Sequence, residues 1–412
     1  MQWIIVGLLV IVYLFQLLLG VLNHQRQHLP LPENVKDIYD TEAYRKWRLY
    51  QGEQFRYQIT IHSFRLILII AFLLFGVFAF FQTLSESWAN GVIVQTLIFL
   101  GLYQLIVFVL SIPFKYYFQF VIEERYGFNK TTIRTFVSDT IKALILTIVL
   151  GGGIIALLNW IYLLFETRLV GFIAVSWVVL MVIILIFAYL STRVFVKIFN
   201  KLEPIEEGPL KVKIEALAEE VGYKIRGIYV MDASKRSTKL NAFFSGFGKN
   251  KEVVLFDTLV EKLSEEEVLS VLAHELGHAV NKDVVKLLIQ QAIMFAFYAI
   301  IIALVLSSDA LAQAFGLTQA TFGFSIVLFM ILVSPLDILF GIPSNMISRK
   351  FEYKADAFSA KYVDKKHMIS ALKVLTNENF ADLNPHPLYV LMYYSHPPIA
   401  DRITALSKLA SL

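Results

Sequence analysis

Seven long apolar runs constrain this chain more than any other feature. They lie at about 3–22, 64–83, 92–112, 143–165, 170–192, 287–307 and 322–343. Each approaches the roughly 20 residues that a helix needs to cross a hydrocarbon core about 30 Å thick. Inside lipid every backbone N–H and C=O must be paired within the segment, so such runs fold as helices. Composition agrees: of 412 residues, 57% are hydrophobic and 17% charged, against about 25% charged in a soluble domain. The first run lacks a basic leader and a small-residue cleavage site, and Tyr13 and Gln16 sit inside it. It reads as a retained membrane helix, not a signal peptide.

Lysine and arginine counts orient the runs. Segments 23–62 and 113–142 together hold eleven, whereas the alternate loops 84–91, 166–169 and 308–321 hold only Arg168. The positive-inside rule then puts the N-terminus outside and the C-terminus in the cytoplasm. Segments 193–286 and 344–412 face the cytoplasm together. The expected organisation is a membrane region over 1–200 with five helices and a first catalytic part over 201–286. Helices six and seven follow over 287–343, and a second catalytic part over 344–412. The net charge of +4 is too small for a nucleic-acid footprint. With no cysteine, disulfides, a thiol nucleophile and cysteine-ligated metal are excluded, so any metal must use histidine and carboxylate.

The chemistry centres on His274-Glu275-Leu276-Gly277-His278. Ser264 followed by Glu267 is a capping box. The helix it starts runs through Val268, Leu269, Leu272, Leu276 and Val280. Residues four apart project from one helix face, so His274 and His278 can offer two nitrogens to one zinc ion. Glu275 is displaced around the helix, in reach of a water at the metal, as a general base. Gly277 and Ala273 are small enough for another element to approach. The bland reading is a structural histidine pair.

A zinc peptidase needs a third protein ligand. The best candidate is Glu352, with Asp356 on the same helical face to bond a ligand histidine and Arg349 to neutralise the acidic cluster. A solvated helix face with charge pairs fits the same spacing equally well. Ser395-His396-Pro397-Pro398 with Arg402 offers an oxyanion donor, although the chemistry alone favours a helix cap with an exposed histidine. Asn241-Ala242-Phe243, before a glycine-containing turn, reads either as an edge strand that pairs with a peptide or as an ordinary hairpin. Segment 210–222 reads as an amphipathic helix, and 225–230 and 253–256 as short strands. His24, His28 and His62 read as surface residues, and His367 and His386 have no ligand-like spacing.

Several further motifs are similar to those of the type 1 CAAX prenyl endopeptidases. They are Phe120-Val-Ile-Glu-Glu-Arg-Tyr-Gly-Phe-Asn129, Lys201-Leu-Glu-Pro-Ile-Glu-Glu-Gly208, Ser234-Lys-Arg-Ser-Thr-Lys-Leu-Asn-Ala-Phe243 and Val254-Leu-Phe-Asp-Thr-Leu259. The stretches His274–His278, Arg349–Asp356 and Ser395–Pro398 complete a resemblance that covers nearly the whole chain. It implies a mostly α membrane protein, with about seven transmembrane helices enclosing a chamber under a small α+β zincin-like catalytic domain. It implies one Zn2+ per chain on His274, His278 and Glu352. It also puts His396 and Arg402 at the active site and gives Asn241 a substrate-binding role. The implied substrates are peptides or proteins, prenylated or not, met at the bilayer. The oligomeric state is left open. The tail Lys408-Leu-Ala-Ser-Leu412 carries no dilysine signal, which points to a bacterial plasma membrane. Two other functions remain to be separated: quality-control proteolysis of membrane proteins, and a transporter or channel with a structural zinc, for which Asp337 is the one clear acidic residue well inside a span.

Overall fold

The computed structural model describes residues 1–165, 168–245 and 251–410. Among them, seven helices are long and apolar enough to cross a membrane: Gln2–Arg26, Thr41–Leu74, Val92–Glu123, Ile133–Phe165, Leu169–Leu190, Asp283–Leu306 and Phe322–Tyr362. The second departs from the expected run. It starts at Thr41, where the Asp40 side chain accepts from the Ala43 N–H, and it stops at Leu74. Gly76 then adopts φ +69°, a left-handed turn that glycine takes without strain. A separate helix, Val77–Trp88, follows. Its Phe78 and Phe81 pack with Phe72, Phe99 and Phe324 in an aromatic core.

The seventh helix departs in the other direction. It continues unbroken from Phe322 to Tyr362 through Pro335 and Pro343. Proline is tolerated in membrane helices where neighbours and local adjustment satisfy the freed carbonyls. One rigid element therefore joins the bilayer to Glu352.

The outer face of the bundle is apolar, with Ile11, Leu14, Leu18 and Ile67 exposed, as lipid requires. One part of its interior is polar. A hollow of about 520 Å3 between the first two membrane helices and the helix Pro387–Tyr393 is lined by Tyr13, Gln16, Gln58, His62 and Tyr389. Polar groups at this depth belong to a water-lined interior.

The remaining chain builds a four-stranded sheet in the order β1-β2-β4-β3. The strands are β1 Leu202–Pro204, β2 Ile225–Met231, β3 Ala242–Ser245 and β4 Lys251–Phe256. β2 and β4 run parallel, and β3 lies antiparallel to β4, with Phe243 opposite Val254. Val253, Val254 and Leu255 are fully buried in β4. Leu255 packs with Leu259, Val268 and Leu272. Each such side chain contributes about 1.5–3 kcal/mol when buried, which holds the helix Glu265–Val280 against the sheet. β3 is the edge strand. The turn expected after it lies outside the described residues.

Candidate functional site

Two helices build the site. Glu265–Val280 begins at the Ser264 cap, and Glu267 returns the bond to the Ser264 backbone. It packs against Phe322–Tyr362 so closely that a Cβ on Gly277 would lie 3.1 Å from the Ala355 Cα. Any larger side chain there would push the helices apart. Ser359 Oγ fixes the crossing by donating to the Ser270 carbonyl at 2.7 Å.

At this crossing His274, His278 and Glu352 converge, with ligand atoms all within 4.8 Å of one another. The two Nε2 atoms are 3.2 Å apart. Glu352 Oε1 is 3.1 Å from His278 Nε2, and Glu352 Oε2 is 3.5 Å from His274 Nε2. The opposite ring nitrogens are occupied. His274 Nδ1 meets Asp356 Oδ1 at 2.9 Å, and His278 Nδ1 meets Asp283 Oδ2 at 3.1 Å. Each carboxylate fixes a tautomer that leaves Nε2 free for a metal. Among the described residues, buried Glu352 Oε2 has no hydrogen-bond partner. An orphaned carboxylate oxygen beside two inward imidazole nitrogens is a donor set that fits a tetrahedral metal ion with one position left open. Burial alone would lower the His274 pKa, but its bond to Asp356 and the Glu352 carboxylate beside it outweigh this and lift it to about 9. The pocket attracts a cation.

Arg402 is buried behind these groups. Its Nε and Nη2 donate to Asp356 Oδ2 and Oδ1 at 2.9 and 2.6 Å, and Nη1 lies 3.5 Å from Glu352 Oε2. Glu275 is half-buried and has no hydrogen-bond partner among the described residues. Burial raises its pKa above the ordinary glutamate value. His396 is exposed, with Nε2 3.4 Å from Glu352 Oε1 and Nδ1 3.0 Å from Ser395 Oγ. Partial desolvation by the neighbouring site groups lowers its pKa below the ordinary histidine value, which favours the neutral ring.

Comparison with known proteins follows the same division of the chain. Residues 21–201 match the CAAX prenyl protease N-terminal family, with five membrane helices, and residues 204–410 match peptidase family M48. The CAAX prenyl protease 1 homolog of Arabidopsis thaliana is 32% identical over 98% of this chain and 96% of its own length. This chain belongs to the CAAX prenyl protease family. CAAX prenyl protease 1 of Saccharomyces cerevisiae is 33% identical over 91% of the chain and 88% of its own. The crystal structure of S. mikatae Ste24p matches with a TM-score of 0.93 at 30% identity, covering 98% of both chains. As a CAAX prenyl protease family member, the chain is a multi-pass membrane metalloprotease. These relatives are a plant and two yeast proteins, so the expected bacterial source gains no support from them.

Three placements differ from the sequence reading of this CAAX prenyl protease relative. Arg349 does not neutralise the acidic cluster. Its Nη1 donates to the Val390 and Tyr394 carbonyls at 3.0 and 2.5 Å, fastening the long helix to Pro387–Tyr393. Arg402 is turned inward, with Nε and Nη2 on Asp356 and Nη1 facing Glu352 Oε2, which gives it a positioning role beside the ligands. Asn241 folds back, its Oδ1 accepting from the Ala242 N–H at 2.8 Å. Ala242 and Phe243 open the edge strand, which packs beside the Glu265–Val280 helix.

Sequence reasoning missed Asp283. It sits five residues after His278, where Lys282 turns left-handed at φ 55°. This turn swings the next helix so that its first residue meets the ring. It also missed what two of the family motifs do together. Glu123 Oε2 accepts from Lys239 Nζ at 2.9 Å, and Glu123 Oε1 accepts from Tyr50 at 2.5 Å. This buried latch ties the membrane region to the chain just before β3.

Proposed function

We propose that this chain is a zinc metalloendopeptidase that cleaves prenylated CAAX peptides at the cytoplasmic membrane surface. The convergence of His274, His278 and Glu352, with a histidine-bound carboxylate behind each ring, carries the proposal. The eleven-to-one charge asymmetry supports the cytoplasmic orientation. The prenylated substrate rests on the family to which the chain belongs.

His274, His278 and Glu352 would hold one zinc ion. Bound there, zinc supplies a Lewis acid that polarises a carbonyl and makes water acidic enough to ionise near neutral pH. Asp356 and Asp283 accept the Nδ1 protons and keep both Nε2 lone pairs directed inward. Arg402 anchors Asp356 and offsets the charge of Glu352. The Glu275 carboxylate takes the proton of the attacking water and returns it to the leaving amine. Its raised pKa makes the second transfer easier. The Ser395 hydroxyl donates to His396 Nδ1, so the neutral ring offers Nε2–H to the developing oxyanion. The free edge of β3, at Ala242 and Phe243, receives the substrate backbone as an added strand.

The test compares a farnesylated CAAX peptide with its unprenylated counterpart, using the purified full chain. Cleavage of the farnesylated peptide, lost on chelation and restored by zinc, is expected. Equal cleavage of both peptides would replace CAAX processing with general membrane proteolysis. Zinc-independent cleavage would refute the metal mechanism.

A further inference from the structure

We propose that a basic pocket between the first and second membrane helices binds the phosphate-bearing headgroup of an anionic membrane lipid. The pocket, about 660 Å3, lies where Gln2–Arg26 ends and Thr41–Leu74 begins. His24, His28, Arg45, Arg48 and Arg56 line it, and no carboxylate does. Arg45, Arg48, Gly52 and Arg56 recur three or four residues apart, so they share one helix face. Gly52 leaves the middle of that face hollow: a Cβ there would find only His24 Cε1, at 3.8 Å.

These arginines are left uncompensated where the fold has carboxylates to spare. Glu53, on the same helix, turns away to Arg125 and Tyr126, at 2.5 and 3.2 Å. Among the described residues, Arg45, Arg48 and Arg56 have no carboxylate partner. Arg48 Nη2 instead lies 2.6 Å from His28 Nδ1. Among the described residues, buried His24 Nδ1 has no hydrogen-bond partner. A concave set of guanidinium donors without counter-charge fits a phosphate, which takes their planar forks two bonds at a time. A mere topology signal of positive charge needs neither the hollow nor the shared face.

The position selects a lipid over a soluble anion. His24 follows directly on the apolar run that ends near residue 22, and Arg56 precedes the apolar part of the second helix. Leu14 and Leu18 are exposed on the first helix below the pocket, and Leu49 is exposed in its wall. Acyl chains can lie along this apolar face while the headgroup enters the pocket. Basic pockets between membrane helices on the cytoplasmic side bind anionic headgroups in this manner.

Native mass spectrometry of the full chain in detergent tests this. The probes are phosphatidylglycerol and phosphatidylcholine with identical acyl chains. One phosphatidylglycerol should bind per chain, about tenfold or more tighter than phosphatidylcholine. The double variant Arg48→Gln/Arg56→Gln should lose that preference while keeping its metal content, which reports an intact fold. Equal binding of the two lipids would overturn the proposal. So would an undiminished preference in the double variant. Displacement of the lipid by millimolar inorganic phosphate would reassign the pocket to a free anion and overturn the lipid. If the double variant unfolds, the wild-type comparison decides alone: saturation at one anionic lipid upholds the proposal, and absence of preference defeats it.

Discussion

The site has two walls built on different physics. On the metal wall, His274, Glu352, Asp356 and Asp283 are 5%, 4%, 2% and 2% exposed, and each histidine Nδ1 meets a carboxylate. On the opposite wall the His396 side chain is 66% exposed. Asn241 faces solvent, and among the described residues β3 leaves one edge unpaired. Ligands must hold one geometry, so their partners are buried, charged and over-determined. A peptide-binding wall must stay unfinished until the peptide arrives. Damage to the first wall should therefore appear in stability and metal content, and damage to the second in turnover alone.

The strongest expected contrast comes from Asp356→Ala. It strands Arg402 and the His274 Nδ1–H in a buried site, a loss of about 3–5 kcal/mol. Chemical denaturation should show this together with reduced zinc content. Wild-type stability would mean that Asp356 is dispensable behind the ligand. His396→Ala should leave zinc and stability unchanged while lowering kcat by about 10²–10³-fold, the usual loss of one oxyanion donor. A fall in metal content instead would move His396 to the metal wall. Asp283→Asn should weaken zinc affinity by about 10–100-fold, as removal of a partner behind a ligand does, with kcat preserved at saturating zinc. The smallest effect concerns pH. The His274 pKa of about 9 in the metal-free protein means that a proton must leave before zinc binds. Zinc affinity should therefore rise as pH climbs towards 9, about tenfold per unit for one proton released. A flat titration with buffered chelators between pH 7 and 9 would contradict the His274 protonation.

The membrane helices were legible because lipid demands a long apolar run, whatever surrounds it. Their limits were less so. Hydropathy merged 64–74 with 77–83, since the Gly76 turn interrupts the backbone without interrupting the apolar pattern. The motif helix was legible from its cap and its histidine spacing. Glu352 was not legible from spacing alone, because 74 residues separate it from His278. Only the continuous helix through Pro335 and Pro343 returns it to the site. Arg349 and Arg402 could not be told apart as bare charges. One ends on carbonyls and the other on Asp356, a difference set by tertiary packing. Asp283 follows the motif at a short interval, but only the left-handed Lys282 turn brings it to His278.

If the buried ligand set serves hydrolysis, Glu275 moves the proton. The most direct test is Glu275→Gln, read for zinc content and for cleavage of a farnesylated CAAX peptide on the same preparation. The substitution keeps the side chain's shape and removes its basicity. The variant should carry one zinc per chain, as in the wild type, and turn over about 10²–10⁴-fold more slowly. Undiminished cleavage by the zinc-loaded variant would contradict that role for Glu275.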